Sequence, residues 1–138
     1  KMYLEYLSEI KQLKEKNINF IVMAGWDLIL NNEFLRQFPN QVVYIHPSLL
    51  PAFPGLDGAK QAMEYGAKYA GCTIHFVPDD GIDTGPIIDQ AIVKIEPADS
   101  LESLEVKIHK EEERLLCQAI SLYADGKFKL DGRIVKVV

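Results

Sequence analysis

Gln41-Val42-Val43-Tyr44-Ile45-His46-Pro47-Ser48-Leu49-Leu50-Pro51-Ala52-Phe53-Pro54-Gly55 passes directly from a continuously apolar run into a loop that holds three prolines. Residues 41–45 read as a strand buried on both faces, as in a parallel sheet lying under helices. Proline locks φ, so the segment that follows is a stiff loop and not a flexible one. His46 stands where the two meet. In open α/β sheets ligands gather beyond the carboxyl ends of strands, and an imidazole there serves as acid, base or hydrogen-bond donor near neutral pH.

Outward from this stretch, helices and strands alternate. Residues 20–24 repeat the buried-strand pattern, and Gly25 ends it. Before them Tyr3, Tyr6, Leu7, Ile10, Leu13 and Lys14 recur at helical spacing, with Asn17 as the stop. Asn31 or Asn32 caps a short helix through Phe38 that Pro39 closes. Downstream, residues 59–65 read as a helix stopped by Gly66. Residues 72–77 read as a third strand, with Cys72, Ile74 and Phe76 on one face and Thr73, His75 and Val77 on the other. Residues 87–95 read as a fourth. Residues 100–124 form a long helix capped by Ser100, with Leu101, Leu104, Ile108, Leu115, Ile120 and Tyr123 as its inward stripe. Asp131-Gly132 between two short apolar runs signals a C-terminal β-hairpin. The expected architecture is α/β: a mostly parallel sheet flanked by helices, in a single domain over residues 1–138. The glycine-rich turn that cradles phosphate at the start of many doubly wound folds is not found in the sequence.

The 138 residues are 48% apolar and 25% charged, ordinary for a globular chain, and the net charge is −5. An acidic balance argues against sequence-independent nucleic-acid binding, which needs a basic surface. No apolar run approaches the ~20 residues that cross a bilayer, and the charged first residues do not read as a signal peptide. Cys72 and Cys117 are too few for a disulfide framework and read as two reduced thiols packed in apolar surroundings of a cytoplasmic protein.

Two loops hold the candidate chemistry. His46 opens one. The other, Asp79-Asp80-Gly81-Ile82-Asp83-Thr84-Gly85-Pro86, follows the third strand. A carboxylate beside a histidine orients the ring, which makes Asp83 a candidate partner of His46. Taken alone, the three aspartates read as ordinary turn formers, and their spacing fits no calcium loop, so no metal is expected. His75 reads as a buried, hydrogen-bonded histidine. His109 and the Lys110-Glu111-Glu112-Glu113-Arg114 run read as solvated helix face.

The stretch from His46 to Gly55 resembles the signature of folate-dependent formyltransferases of the glycinamide ribonucleotide type. The similarity continues through Gln61-Ala62, Gly66, Gly71-Cys72-Thr73-Ile74-His75-Phe76-Val77 and Asp83-Thr84-Gly85-Pro86-Ile87. It extends back to Val22-Met23-Ala24-Gly25. Two long motifs in order and at matching spacing are far more specific than a lone short pattern.

The resemblance implies the fold and catalytic, folate-binding part of an enzyme that moves a formyl group from 10-formyltetrahydrofolate, its co-substrate, to the amine of glycinamide ribonucleotide. It implies His46 as donor and general acid and Asp83 as its partner. It places the pteridine against Asp27, Leu28, Ile29 and Leu30, and against Pro78, Asp79, Asp80, Gly81 and Ile82. It makes Glu112 a contact of the glycinamide substrate. Tyr44 stands where the family's pattern has an asparagine that completes a catalytic trio. The family's N-terminal half, with its phosphate-binding loop, has no counterpart in the sequence. The expected partners are therefore small-molecule substrates, with self-association or pairing with such a half, and no nucleic acid or membrane. Two other readings stay open: another folate-dependent formyltransferase or a formyltetrahydrofolate hydrolase, and an inactive folate-binding fragment.

Overall fold

Ten elements succeed one another in the computed structural model, which describes residues 3–25 and 29–138, with side chains from residue 7 onward. They are α1 (Tyr3–Glu15), β1 (Ile21–Met23), α2 (Asn32–Gln37), β2 (Val42–His46), α3 (Gly58–Tyr65), β3 (Tyr69–Phe76), β4 (Ile87–Lys94), α4 (Leu101–Ala124), β5 (Phe128–Asp131) and β6 (Ile134–Val137). Local chemistry sets several boundaries. The Asn31 side chain accepts the Phe34 N–H to start α2. Ser100 and Ser103 cap each other reciprocally at the start of α4. Asp99 adds to that corner by accepting from Ser103 and Lys107, and the lysine hydrogen bond holds its carboxyl down at about 2. No helix among the described residues is long and apolar enough to cross a membrane.

The four main strands lie in the order β1-β2-β3-β4, and β5 and β6 form the expected hairpin. The sheet is mixed: β1, β2 and β4 run one way and β3 runs against them, so β1–β2 pair in parallel while β2–β3 and β3–β4 pair antiparallel, a reversal that the sequence did not announce. The physical reason is that continuous apolar character reports burial on both faces, not strand direction. The central strands β2 and β3 are buried nearly throughout. Residues 47–57 and α3 together carry the chain out and back, so β3 re-enters at the end where β2 left. The loop of residues 77–86 then turns the chain directly into β4.

Each face of the sheet has its own core. Val43, Ile45, Cys72, Ile74 and Phe76 pack under Leu104, Ile108, Leu115 and Ala119 of α4, with Ala59 and Ala62 of α3 beside them. Met23 and Val42 on the other face pack under Ile10 of α1 and Phe34 and Leu35 of α2. Ala119, not Ile120, completes the inward stripe of α4; Ile120 is 42% exposed. Phe20 stacks on Tyr123, with ring centres 3.8 Å apart, and the tyrosine hydroxyl donates to the Asn19 carbonyl, which ties the end of α4 to the entry of β1.

The two cysteines differ. Cys72 lies under α4, and burial, with Glu112 and Glu111 nearby, pushes its thiol up to about 12. Cys117, expected in apolar surroundings, is exposed, because it lies two residues past buried Leu115 on the outer side of α4. At pH 8 a thiol-reactive chromogen should therefore modify one cysteine in the native chain and the second only after denaturant is added. Rapid modification of both in the native state would contradict the packing of β3 against α4.

Candidate functional site

Antiparallel pairing places directly opposed residues on the same face of a sheet. His46 opposes Thr73, and Thr73 opposes Gln90; one step along, Met23 is level with Tyr44, and Tyr44 opposes His75. Two neighbouring rungs thus line up polar side chains on the α1/α2 face, just beyond the apolar core there. His46, Thr73 and His75 are each at most 2% exposed.

His46 is held through both ring nitrogens. Its Nε2 lies 3.0 Å from the Phe53 carbonyl oxygen. A carbonyl only accepts, so Nε2 carries a proton and donates. Nδ1 faces Asp83 Oδ2 at 3.5 Å. The same Asp83 oxygen accepts the Gly55 N–H at 2.8 Å, so one carboxylate joins the two loops that carry the site. Asp83 itself adopts φ +55°, a left-handed conformation that aspartate tolerates better than most residues. Gly85, two residues on, lets the loop return against β3, because a side chain there would overlap the Phe76 carbonyl.

His75 is the residue that the sequence reading undervalued. Its Nδ1 donates to the Phe76 carbonyl at 2.9 Å, and its Nε2 lies 3.7 Å from Asp83 Oδ1. Burial pulls its pKa below the ordinary histidine value, against the smaller opposing effects of the Phe76 hydrogen bond and Asp83. Nε2 is then an unprotonated acceptor, buried, with no hydrogen-bond partner among the described residues. The alternation of Thr73 and His75 along β3 was visible in the sequence, but the register that sets His75 beside Tyr44 and under Asp83 was not. The Tyr44 ring is half-buried, with its centre 6.3 Å from that of His46 and 6.0 Å, edge-on, from that of His75.

These groups form the floor of a cavity of about 540 Å³. Ile29 and Leu30 line it on one side and Pro78, Asp79, Asp80, Gly81 and Ile82 on the other, so these seven expected residues come together with His46, Tyr44 and Asp83. Asp27 and Leu28 lie outside the described residues. Glu112 is not among the residues lining the cavity. It sits on α4 near Cys72, across the sheet from His75; burial raises its carboxyl pKa, and His109 is 3.8 Å away. Asp79 is paired with Arg36 at 3.0 Å, and among the described residues no three His, Cys, Asp or Glu side chains are arranged to hold a metal ion.

The model of the formyl transferase family matches residues 5–120. The chain is 44% identical over 105 residues to phosphoribosylglycinamide formyltransferase of Bacillus subtilis, covering 76% of this chain and 53% of that one. It superposes on glycinamide ribonucleotide transformylase 1 from Symbiobacterium toebii with a TM-score of 0.90 and 41% identity, over 96% of this chain and 62% of the other. It also superposes on a formyltetrahydrofolate deformylase from Pseudomonas syringae with a TM-score of 0.92 and 26% identity, over 99% of this chain and 46% of the other. The chain spans about half or less of the length of the curated relatives it matches.

Proposed function

This chain belongs to the formyl transferase family, and from that premise we propose that it carries the folate-binding and catalytic part of an enzyme of purine biosynthesis. The reaction is transfer of a formyl group from 10-formyltetrahydrofolate to the amine of glycinamide ribonucleotide, in the cytoplasm. The observation that carries the reading is the convergence of His46, His75 and Asp83 on the floor of the cavity.

In this reading the pteridine enters the cavity and meets main-chain groups of residues 78–82, which match its polar edge without special side chains. Ile29, Leu56 and Ile82, each more than half exposed, give apolar contact to the aromatic part of the folate. The amine attacks the formyl carbon, the carbonyl π pair moves to oxygen, and a tetrahedral intermediate forms. His46, held by the Phe53 carbonyl and Asp83, donates from Nδ1 to that oxygen when the ring carries both protons. One proton must leave the amine, and one must reach the folate nitrogen before its bond to carbon breaks. Asp83 and the unprotonated Nε2 of His75 are the acceptors at hand for the first. Glu112, across the sheet, is assigned to the glycinamide substrate outside the folate cavity.

A second reading, in which the acceptor is water, is favoured by one observation: Tyr44 occupies the rung between Met23 and His75 where the family's pattern has an asparagine. A phenol is larger than a carboxamide, and beside His46 and His75 it takes up room that an attacking amine needs and a water molecule does not. Incubating the chain with 10-formyltetrahydrofolate, with and without glycinamide ribonucleotide, and analysing the products separates the readings. Formylated amine supports the first, formate independent of the amine supports the second, and no binding of reduced folate by calorimetry would end both. Tyr44→Asn is expected to raise the rate of formyl transfer to the amine several-fold, about 1 kcal/mol of barrier; an unchanged rate would leave Tyr44 as a packing residue only.

A further inference from the structure

We infer that Gln90, an exposed residue on the edge strand β4, is a positioning residue for His46. The inference rests on the reading of His46 as the donor to the formyl oxygen. His46, Thr73 and Gln90 form one continuous rung across β2, β3 and β4. Along that rung the Gln90 side-chain Nε2 donates to two acceptors, Thr73 Oγ1 at 2.9 Å and the Leu50 carbonyl at 2.9 Å.

The Thr73 hydroxyl is thereby saturated. It also accepts the Leu50 N–H at 3.0 Å, and its one proton goes to the Ser48 carbonyl at 2.7 Å. With both lone pairs occupied by N–H donors, the hydroxyl has a single direction left for its proton. Both polar groups of Leu50 and the carbonyl of Ser48 are in this way fastened to the sheet. The Ser48 hydroxyl passes the constraint onward by donating to the Ala52 carbonyl at 2.6 Å. The next residue is Phe53, whose carbonyl accepts the His46 Nε2 proton. Gln90 therefore fixes the loop that decides which nitrogen of His46 is committed to the protein and which faces Asp83.

The amide NH₂ is what this position requires, since both of its partners are acceptors there. A carboxylate of the same length donates to neither. A leucine keeps the bulk and removes the donors, and a lysine keeps the donors at similar reach. Gln90 is exposed, which makes these substitutions compatible with folding.

The test compares Gln90→Leu, Gln90→Glu and Gln90→Lys with the parent chain. The first readout is the His46 ring in side-chain ¹⁵N–¹H correlation spectra, recorded above the pH at which the ring loses its second proton, with thermal unfolding as the control. The parent should show the Nε2–H tautomer. The leucine and glutamate variants should show exchange between both tautomers, and the lysine variant should return towards the parent. The second readout is transfer kinetics: kcat falls about tenfold in the leucine and glutamate variants with KM for the folate unchanged, as for a misplaced group acting only in the transition state. A role limited to bracing the fold would lower the unfolding temperature without moving the tautomer. A folded leucine variant with the parent's tautomer overturns the inference. Should it not fold, the same tautomer in the glutamate and lysine variants overturns it equally. A tautomer change in a chain without transfer activity supports the positioning role and refutes the formyltransferase reading instead, so the two fail separately.

Discussion

Replacing His46 with alanine should lower the rate of formyl transfer by about 10²–10³-fold, the usual loss when a preorganised donor to a developing oxyanion is removed. The size of the effect follows from where the ring sits. It is 2% exposed, so water does not readily replace it, and its orientation is set from both sides by the Phe53 carbonyl and by Asp83. Affinity for a reduced folate should change little, because residues 29–30 and 78–82, which line the cavity beside His46, are left in place. Transfer kinetics together with calorimetry check both parts. A loss below tenfold would mean that the oxyanion is stabilised elsewhere. A large loss of folate affinity would mean that His46 holds the loop of residues 47–55 in place and acts through structure. Asp83→Asn is the companion: the amide still accepts the Gly55 N–H through its oxygen, so it should lose rate while keeping the loops joined.

Ile74→Ala should destabilise the fold by about 2–5 kcal/mol, the range for truncating a large aliphatic in a packed core. Ile74 is 0% exposed at the centre of β3 and faces α4, with Ile45 opposite it on β2. Its chain neighbours Thr73 and His75 point to the other face and carry the site. The substitution should therefore move the midpoint of urea unfolding strongly while leaving folate affinity of the folded chain unchanged. Equal losses in stability and affinity would show that the two faces of the sheet are not separable.

Much of this was legible along the chain because it is written in local chemistry. Asn31 and Ser100 carry capping groups, and α2 and α4 start after them. Asn17 follows the last turn of α1 in a left-handed conformation, as a helix stop does. The hairpin also formed, although its turn falls at Gly132 and Arg133, since Asp131 pairs with Ile134. The pairing of His46 with Asp83 was expected from two long motifs, and the structure brings the side chains together. Strand direction was not legible, because a strand buried on both faces looks the same in either orientation. His75 and Gln90 were not legible either. A histidine in a strand and a glutamine on an edge acquire meaning only from what lies opposite, and register is a relation between segments far apart in sequence.

The sequence by itself determined the elements, the capped starts of α2 and α4, the α/β class and the loops that hold His46 and Asp83, because propensity, capping and apolar periodicity act over a few residues. Tertiary structure alone decided that β3 runs antiparallel to both of its neighbours, β2 and β4. Through that pairing it set Thr73 and Gln90 on the rung of His46 and His75 on the rung of Tyr44. It also left Glu112 across the sheet from the cavity. The reason is that direction and register are settled by how two buried faces are covered at once, a condition on the whole chain that no short window of sequence contains.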